Sequence, residues 1–167
     1  MPCCSTTLIR ISLAAWAAFV PLSRATAQKS PRGQPTTPFA VADFGKLRWL
    51  AGSWAGTSDD ARDFYEKCHI VDDSTIDITY YADSTFSQPT STGRLYLSVG
   101  RIFHTMGPGR WGATHVGGDG VYFVPQVNSQ TSLAWSRLSN NEWTATLRSG
   151  FVGRDRVIVY HMRRTGP

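Results

Sequence analysis

The chain has 167 residues, of which 41% are hydrophobic and 17% charged, and its formal net charge at pH 7 is +5. Apart from Arg163-Arg164, the basic residues are scattered along the sequence. This argues against a nucleic-acid partner, because nucleic-acid-binding surfaces gather lysine and arginine on one face.

The first 27 residues have the pattern of a secretory signal peptide. Arg10 precedes the apolar run Ile11–Leu22, and Ala25-Thr26-Ala27 offers the small residues that signal peptidases recognise. The run is shorter than the ~20 residues that a transmembrane helix needs. We expect residues 1–27 to be cleaved and the protein to be exported, to a periplasm or outside the cell, with no stable membrane insertion afterwards. The alternatives are a membrane anchor or a misassigned start codon.

Cleavage would remove Arg10 and Arg24 but no acidic residue, which lowers the formal charge from +5 to +3. Residues 28–38 contain three prolines and several small polar residues, and they are predicted to form a disordered spacer. Residues 39–167 suit a single domain. The oligomeric state is left open.

A short helix is predicted at the start of this domain. Asp43 is a plausible N-cap, and Phe44, Leu47 and Leu50 lie three residues apart on one face. Gly52 stands where such a helix would end in a left-handed conformation. Because the helix is too short to be stable alone, its apolar stripe must pack on another element.

From Trp54 onward the hydrophobic period is two, which predicts half-buried antiparallel strands. Turn signals recur every 8 to 12 residues and leave no room for crossover helices. The pattern excludes a parallel α/β sheet and favours a sandwich or a closed barrel. We predict an all-β protein, an antiparallel up-and-down barrel of about 8–10 strands with a short N-terminal helix. The last run, Val157–Met162, is apolar on both faces and is expected to be covered on both sides.

The segment Leu47–Thr57, LRWLAGSWAGT, resembles the opening of calycin barrels, and most closely that of bacterial lipocalin-like proteins without an assigned activity. The resemblance implies that Gly52 and Trp54 form the barrel floor. It also implies that a basic side chain after the last strand, Arg163 or Arg164, packs over the Trp54 ring with a cation–π contact of ~1 kcal/mol.

Glu66 is the exception on an otherwise apolar strand face, between Phe64 and Cys68. A buried carboxylate is costly unless it is paired or neutralised. Glu66 could orient the polar end of a ligand or act as a general acid or base. It could equally pair with an arginine of a neighbouring strand, such as Arg94 or Arg101. Cys68 is expected to be a buried hydrophobe, because His69 must point to the opposite face.

Histidine and aromatic residues supply the other candidates for a ligand site. His104 could be a hydrogen-bonding group of the lumen, a metal or haem ligand, or a satisfied core residue. The aromatic residues on probable inner faces could form either a cavity wall or a packed core. They are Tyr80, Trp111, Phe123, Trp135 and Trp143.

We expect no metal, because no pair of histidines has a metal-ligand spacing. We also expect no cofactor, with one alternative. Some barrels with a G-x-W-x-G opening bind haem through a late histidine, and Gly52–Gly56 together with His161 fits that description.

No nucleophile elbow, phosphate loop or metalloprotease helix occurs in the sequence, so we expect a binding protein rather than an enzyme. The leading hypothesis is an exported barrel that binds a small, largely apolar ligand in its lumen. One alternative is an enzyme that uses Glu66 and His104 for proton transfer. The other is a packed barrel with a structural or partner-binding role.

Overall fold

The computed structural model describes residues 37–59, 61–151 and 154–166. The predicted signal peptide, residues 1–27, and residues 28–36 of the predicted spacer lie outside the described residues. A short helix, α1 (Val41–Gly45), is followed by one 3-10 turn (Arg48–Leu50). The strands are β1 (Gly52–Thr57), β2 (Phe64–Asp72), β3 (Thr75–Tyr81), β4 (Pro89–Ser98), β5 (Arg101–Met106), β6 (Gly109–Gly117), β7 (Gly120–Val127), β8 (Thr131–Arg137), β9 (Glu142–Phe151) and β10 (Arg154–Arg164).

These ten strands close into one antiparallel barrel. Each strand pairs with its neighbours in sequence, and β1 also pairs with β10. Trp54 of β1 lies opposite Glu66 on one side and opposite Arg164 on the other. The closed up-and-down barrel and its strand number are therefore confirmed, and the sandwich alternative is wrong. Within the described residues, no helix has the length and apolar character needed to cross a bilayer.

Strand β2 illustrates how the alternation of side chains builds the interior. Glu66 and Cys68 are buried inside the barrel, whereas Lys67 and His69 between and beside them are exposed. Since successive side chains of a strand point to opposite faces, Cys68 and His69 do not meet.

The segment before β1 covers one end of the barrel. Phe44, Leu47 and Leu50 are at most 1% exposed. Their spacing brings them to one face, and α1 packs against β4 and β6. The apolar stripe thus finds the partner surface that so short a helix requires.

Two details of this segment correct the sequence prediction. Asp43 is not the N-cap: Ala40 holds that position, and the Asp43 carboxylate accepts a hydrogen bond from the Ala40 N–H at 3.0 Å. Gly52 does not terminate α1 but begins β1, with a φ of 132°. The chain needs a glycine there to turn from the 3-10 segment into the barrel wall.

Trp54 and Arg164 form the floor of the barrel. The Trp54 side chain is 1% exposed, and its Nε1 donates a hydrogen bond to the Leu50 carbonyl at 2.7 Å. The Arg164 guanidinium lies 4.2 Å from the centroid of the Trp54 ring. Of the two arginines proposed for this position, Arg163 points outward, where it forms an ion pair with Glu142 at 3.5 Å.

The guanidinium of Arg164 also binds three backbone carbonyls, which belong to two other segments of the chain. Nη1 donates to Ala51 at 2.9 Å, Nη2 to Trp49 at 3.4 Å and Nε to Asn140 at 3.1 Å. One side chain therefore joins β10, the N-terminal segment and the β8–β9 turn at the closed end.

The expectation that Val157–Met162 is covered on both faces is wrong. Met162 is buried and Tyr160 half-buried inside the barrel, but Val157 is 38% exposed on the outer face. The short helix packs against β4 and β6, so it does not cover the outer face of β10.

Candidate functional site

The barrel contains a cavity of about 310 Å³. The exposed residues Thr90 and Ser91 line one end of it, so the cavity opens to solvent there. Most of its surface is apolar, and the full lining consists of Phe64, Glu66, Tyr80, Tyr81, Thr90, Ser91, His104, Met106, Leu133, Trp135, Trp143, Ala145, Leu147 and Tyr160.

Glu66 is the acidic residue of this lining, and its side chain is 4% exposed. It has no ion pair with any described residue. The two arginines that the sequence offered as partners bind elsewhere: Arg94 pairs with Asp77 at 2.6 Å, and Arg101 donates to Gln126 at 3.3 Å. The structural pair predicted as one alternative for Glu66 is therefore wrong.

The pKa of Glu66 is set mainly by its burial, because no described cation pairs with the carboxylate. Desolvation raises the pKa of its carboxyl group to about 7, against a weaker opposing effect of the hydrogen bond that Cys68 Sγ donates at 3.6 Å. Tyr80 lies opposite Glu66 on β3. Burial raises the pKa of the Cys68 thiol and of the Tyr80 phenol well above their usual values, so both are neutral at pH 7.

His104 of β5 lies among aromatic rings inside the barrel. It stacks on Trp111 with 5.3 Å between ring centroids and contacts Phe123 and Trp135 at 5.9 and 5.0 Å. Its side chain is 2% exposed, and its Nδ1 has no hydrogen-bond partner among the described residues. Burial lowers the pKa of His104 to about 4, against a hydrogen bond to the Arg94 backbone that acts in the opposite direction.

Glu66 and His104 thus line one cavity, yet no hydrogen bond joins them. Of the predicted aromatic lining, Tyr80, Trp135 and Trp143 border the cavity. Trp111 and Phe123 do not. They pack around His104 instead, and the Trp111 Nε1 donates to the Thr131 carbonyl at 2.6 Å.

His161 is exposed on the outer face of β10, and it does not border the cavity. Tyr160 and Met162 take the inward positions on the same strand, so a haem held by His161 would lie outside the lumen. The described residues contain no group of three potential metal ligands.

Sequence reasoning missed several lining residues that complete an aromatic wall. Tyr160 and Phe64 are in edge-to-face contact at 4.8 Å, and Phe64 lies 6.2 Å from Tyr80. The aliphatic part of the lining comes from Leu133, Ala145 and Leu147. The alternation in β2 and β9 contained this information, whereas that in β10 did not, because β10 is apolar on both faces.

The shifted pKa values of Glu66 and His104 have opposite effects on stability. Glu66 titrates near 4.5 when unfolded and near 7 when folded, so its ionisation in the unfolded chain removes stability as the pH rises through this window. His104 titrates near 6.5 when unfolded and near 4 when folded, so stability is lost as the pH falls through that window. Each effect amounts to about 3 kcal/mol, and the two largely cancel in the wild type.

Glu66→Gln removes the contribution of Glu66, so we expect this variant to show the pH dependence that His104 causes. The free energy of unfolding of the variant should rise by about 3 kcal/mol between pH 4 and pH 7, while the wild-type value stays nearly constant. Urea titrations at several pH values measure both curves, with the surface variant Glu142→Gln as control. Parallel curves for Glu66→Gln and the wild type would contradict the assignment.

No family model matches the chain, and no curated protein matches it. Several solved structures are similar to it, including the following two. A redesigned β barrel is 12% identical with a TM-score of 0.37, over 71% of this chain and 93% of that one. EF1p2_mFAP2b, solved bound to DFHBI, is 15% identical with a TM-score of 0.36, over 73% of this chain and 98% of that one.

Proposed function

We propose that this protein is an exported, lipocalin-like barrel that binds a small and largely apolar molecule in its cavity. The observation that carries the proposal is the cavity of about 310 Å³, with aromatic and aliphatic walls and a minority of polar side chains that includes Glu66, Tyr80 and His104. Ligand pockets in proteins typically combine a mostly apolar wall with a few placed polar groups. The volume lies at the small end of their range of ~300–1,000 Å³.

The floor supports the lipocalin-like part of the proposal. Arg164 over the ring of Trp54 is the pairing that the resemblance to calycins implies for this position. Export rests on the sequence of residues 1–27 alone.

The two alternative functions have less support. A packed barrel needs a filled lumen, which a cavity of this size argues against. Proton-transfer catalysis needs Glu66 and His104 within hydrogen-bonding reach of a common point, and no contact between them favours it.

Filling the cavity tests the proposal. Leu147 lines the cavity, whereas its neighbour Arg148 is exposed on the outer face. We expect Leu147→Trp to weaken the binding of the neutral probe 2-naphthol at least tenfold, because the larger ring occupies the space of the ligand. Arg148→Trp adds the same indole outside and should bind as the wild type does. Equilibrium dialysis with protein in excess gives the three dissociation constants.

The absence of saturable 2-naphthol binding to the wild type would contradict the proposed function. Equal affinity of Leu147→Trp and the wild type would also contradict it, because the probe would then bind outside the cavity. Circular dichroism of both tryptophan variants verifies that the barrel is retained.

A further inference from the structure

From the contacts of Glu66 and the composition of the cavity wall, we infer that the ligand is a small organic amine bound as a cation, its ammonium group paired with Glu66 and its apolar part held by the aromatic rings. The inference rests on the proposed function, since it names the chemical class of the molecule in the same cavity.

Glu66 lacks a charged partner among the described residues. The carboxyl group is 4% exposed and borders the cavity, and its hydrogen bond from Cys68 Sγ leaves room for further donors. Buried carboxylates in proteins are normally paired with a cation. No described residue pairs with this one, so the cavity itself is the place from which a counter-charge can come.

The other titratable side chains around Glu66 are neutral at pH 7. On its own strand and on β3 lie the thiol of Cys68 and the phenol of Tyr80, both kept neutral by burial. His104 of β5, which lines the same cavity, is neutral at pH 7, because burial lowers its pKa to about 4. Among the described residues no cationic side chain borders the cavity, so the described part of its wall does not repel an ammonium group.

The Arg164 guanidinium forms no ion pair with Glu66. It lies close enough to oppose, weakly, the burial-driven rise in the pKa of Cys68. Its N–H groups are committed to the carbonyls of Trp49, Ala51 and Asn140 and its face to the Trp54 ring. Arg164 could pair with Glu66 only by giving up these contacts at the closed end of the barrel.

Aromatic side chains form much of the wall around Glu66. The rings that border the same cavity are those of Phe64, Tyr80, Trp135, Trp143 and Tyr160. Aromatic rings attract cations through their quadrupole, and the attraction is strongest where water is excluded. A carboxylate combined with several rings therefore favours an ammonium over a neutral or anionic head group. The cavity has room for about ten non-hydrogen atoms at the ~30 Å³ that a water molecule occupies in the liquid.

The test compares three probes of similar size and shape: phenethylamine, 2-phenylethanol and phenylacetate. We expect calorimetric titration of the wild type at pH 8 to give a dissociation constant for the amine at least tenfold lower than for the alcohol. Phenylacetate should bind weakest, because its charge repels that of Glu66. In Glu66→Gln the amine should bind no better than the alcohol, whereas Glu142→Gln, changed on the outer surface, should keep the wild-type preference.

A measurement on the wild type alone keeps the inference testable if Glu66→Gln does not fold. The free carboxyl group has a pKa of about 7, and pairing with an ammonium releases its proton to solvent. Amine affinity should therefore rise about tenfold per pH unit from pH 5 to pH 7 and level off above. The amine keeps its charge over this range, since an alkylammonium titrates near pH ~10.

Two results would overturn the inference and leave the proposed function intact: equal affinity for amine and alcohol at pH 8, or an amine preference that survives in Glu66→Gln. If 2-naphthol and all three probes fail to bind the wild type, both the inference and the proposed function are wrong.

Discussion

Trp54→Ala is expected to lower the free energy of unfolding by ~3–5 kcal/mol, because it removes a large aromatic side chain from a site without solvent access. The ring is 1% exposed, contacts Trp143 edge-to-face at 6.0 Å and carries the guanidinium of Arg164 on its face. Its loss also leaves the Leu50 carbonyl without the indole donor. The effect is a large part of the ~5–15 kcal/mol that usually stabilises a domain.

Urea-induced unfolding measures this loss as a shift of the midpoint. Tyr122→Ala is the matched control, since it removes an aromatic ring that is 41% exposed on the outside of the barrel. It should cost less than about 1 kcal/mol. Coincident midpoints for Trp54→Ala and the wild type would mean that the floor is not closed by this residue.

Gly52→Ala is expected to have the second largest effect, about 3 kcal/mol. The φ of 132° at Gly52 lies in a region that alanine adopts only with strain of ~1–3 kcal/mol. In addition, a Cβ at this position would overlap Nη1 of Arg164, whose place is fixed by three carbonyls.

A double-mutant cycle with Arg164→Ala separates these two contributions. In the Arg164→Ala background the overlap is gone, so Gly52→Ala should cost about 1–2 kcal/mol less than in the wild type and retain only the backbone strain. Strict additivity in urea titrations would show that the alanine methyl group and the guanidinium do not compete for one space.

The barrel could be predicted because the patterns that indicate it, strand alternation and turn signals, are local in the sequence. Alternation in β2 assigned Glu66 and Cys68 to the interior, and the repeated turn signals excluded crossovers. The choice between Arg163 and Arg164 could not be made in this way. It depends on which face of β10 is inside, and a strand with apolar residues on both faces carries no such signal. The same ambiguity left Tyr160 out of the predicted lining.

The sequence predicted which side chains of the candidate site face inward, but not how far along the barrel axis each of them lies. Alternation indicates that Trp111 and Phe123 face inward, as they do. Whether an inward ring borders empty space or packs on another ring depends on its height along the barrel axis. That height is set by the stagger of strands that are distant in sequence. For the same reason the absence of a cation beside Glu66 could not be read from the sequence, because it requires knowing where Arg94 and Arg101 point.

The pairing of β1 with β10 has a consequence for the folding of the chain. Trp54 pairs with Arg164, which is 110 positions further along the chain, and such distant contacts slow folding. Until β10 arrives, both β1 and β9 present an unpaired row of backbone groups to any other extended chain. Once β10 has docked, no open edge is left in the sheet. The interval before docking is therefore when the polypeptide is most exposed to aggregation and to proteases, and the last strand ends it.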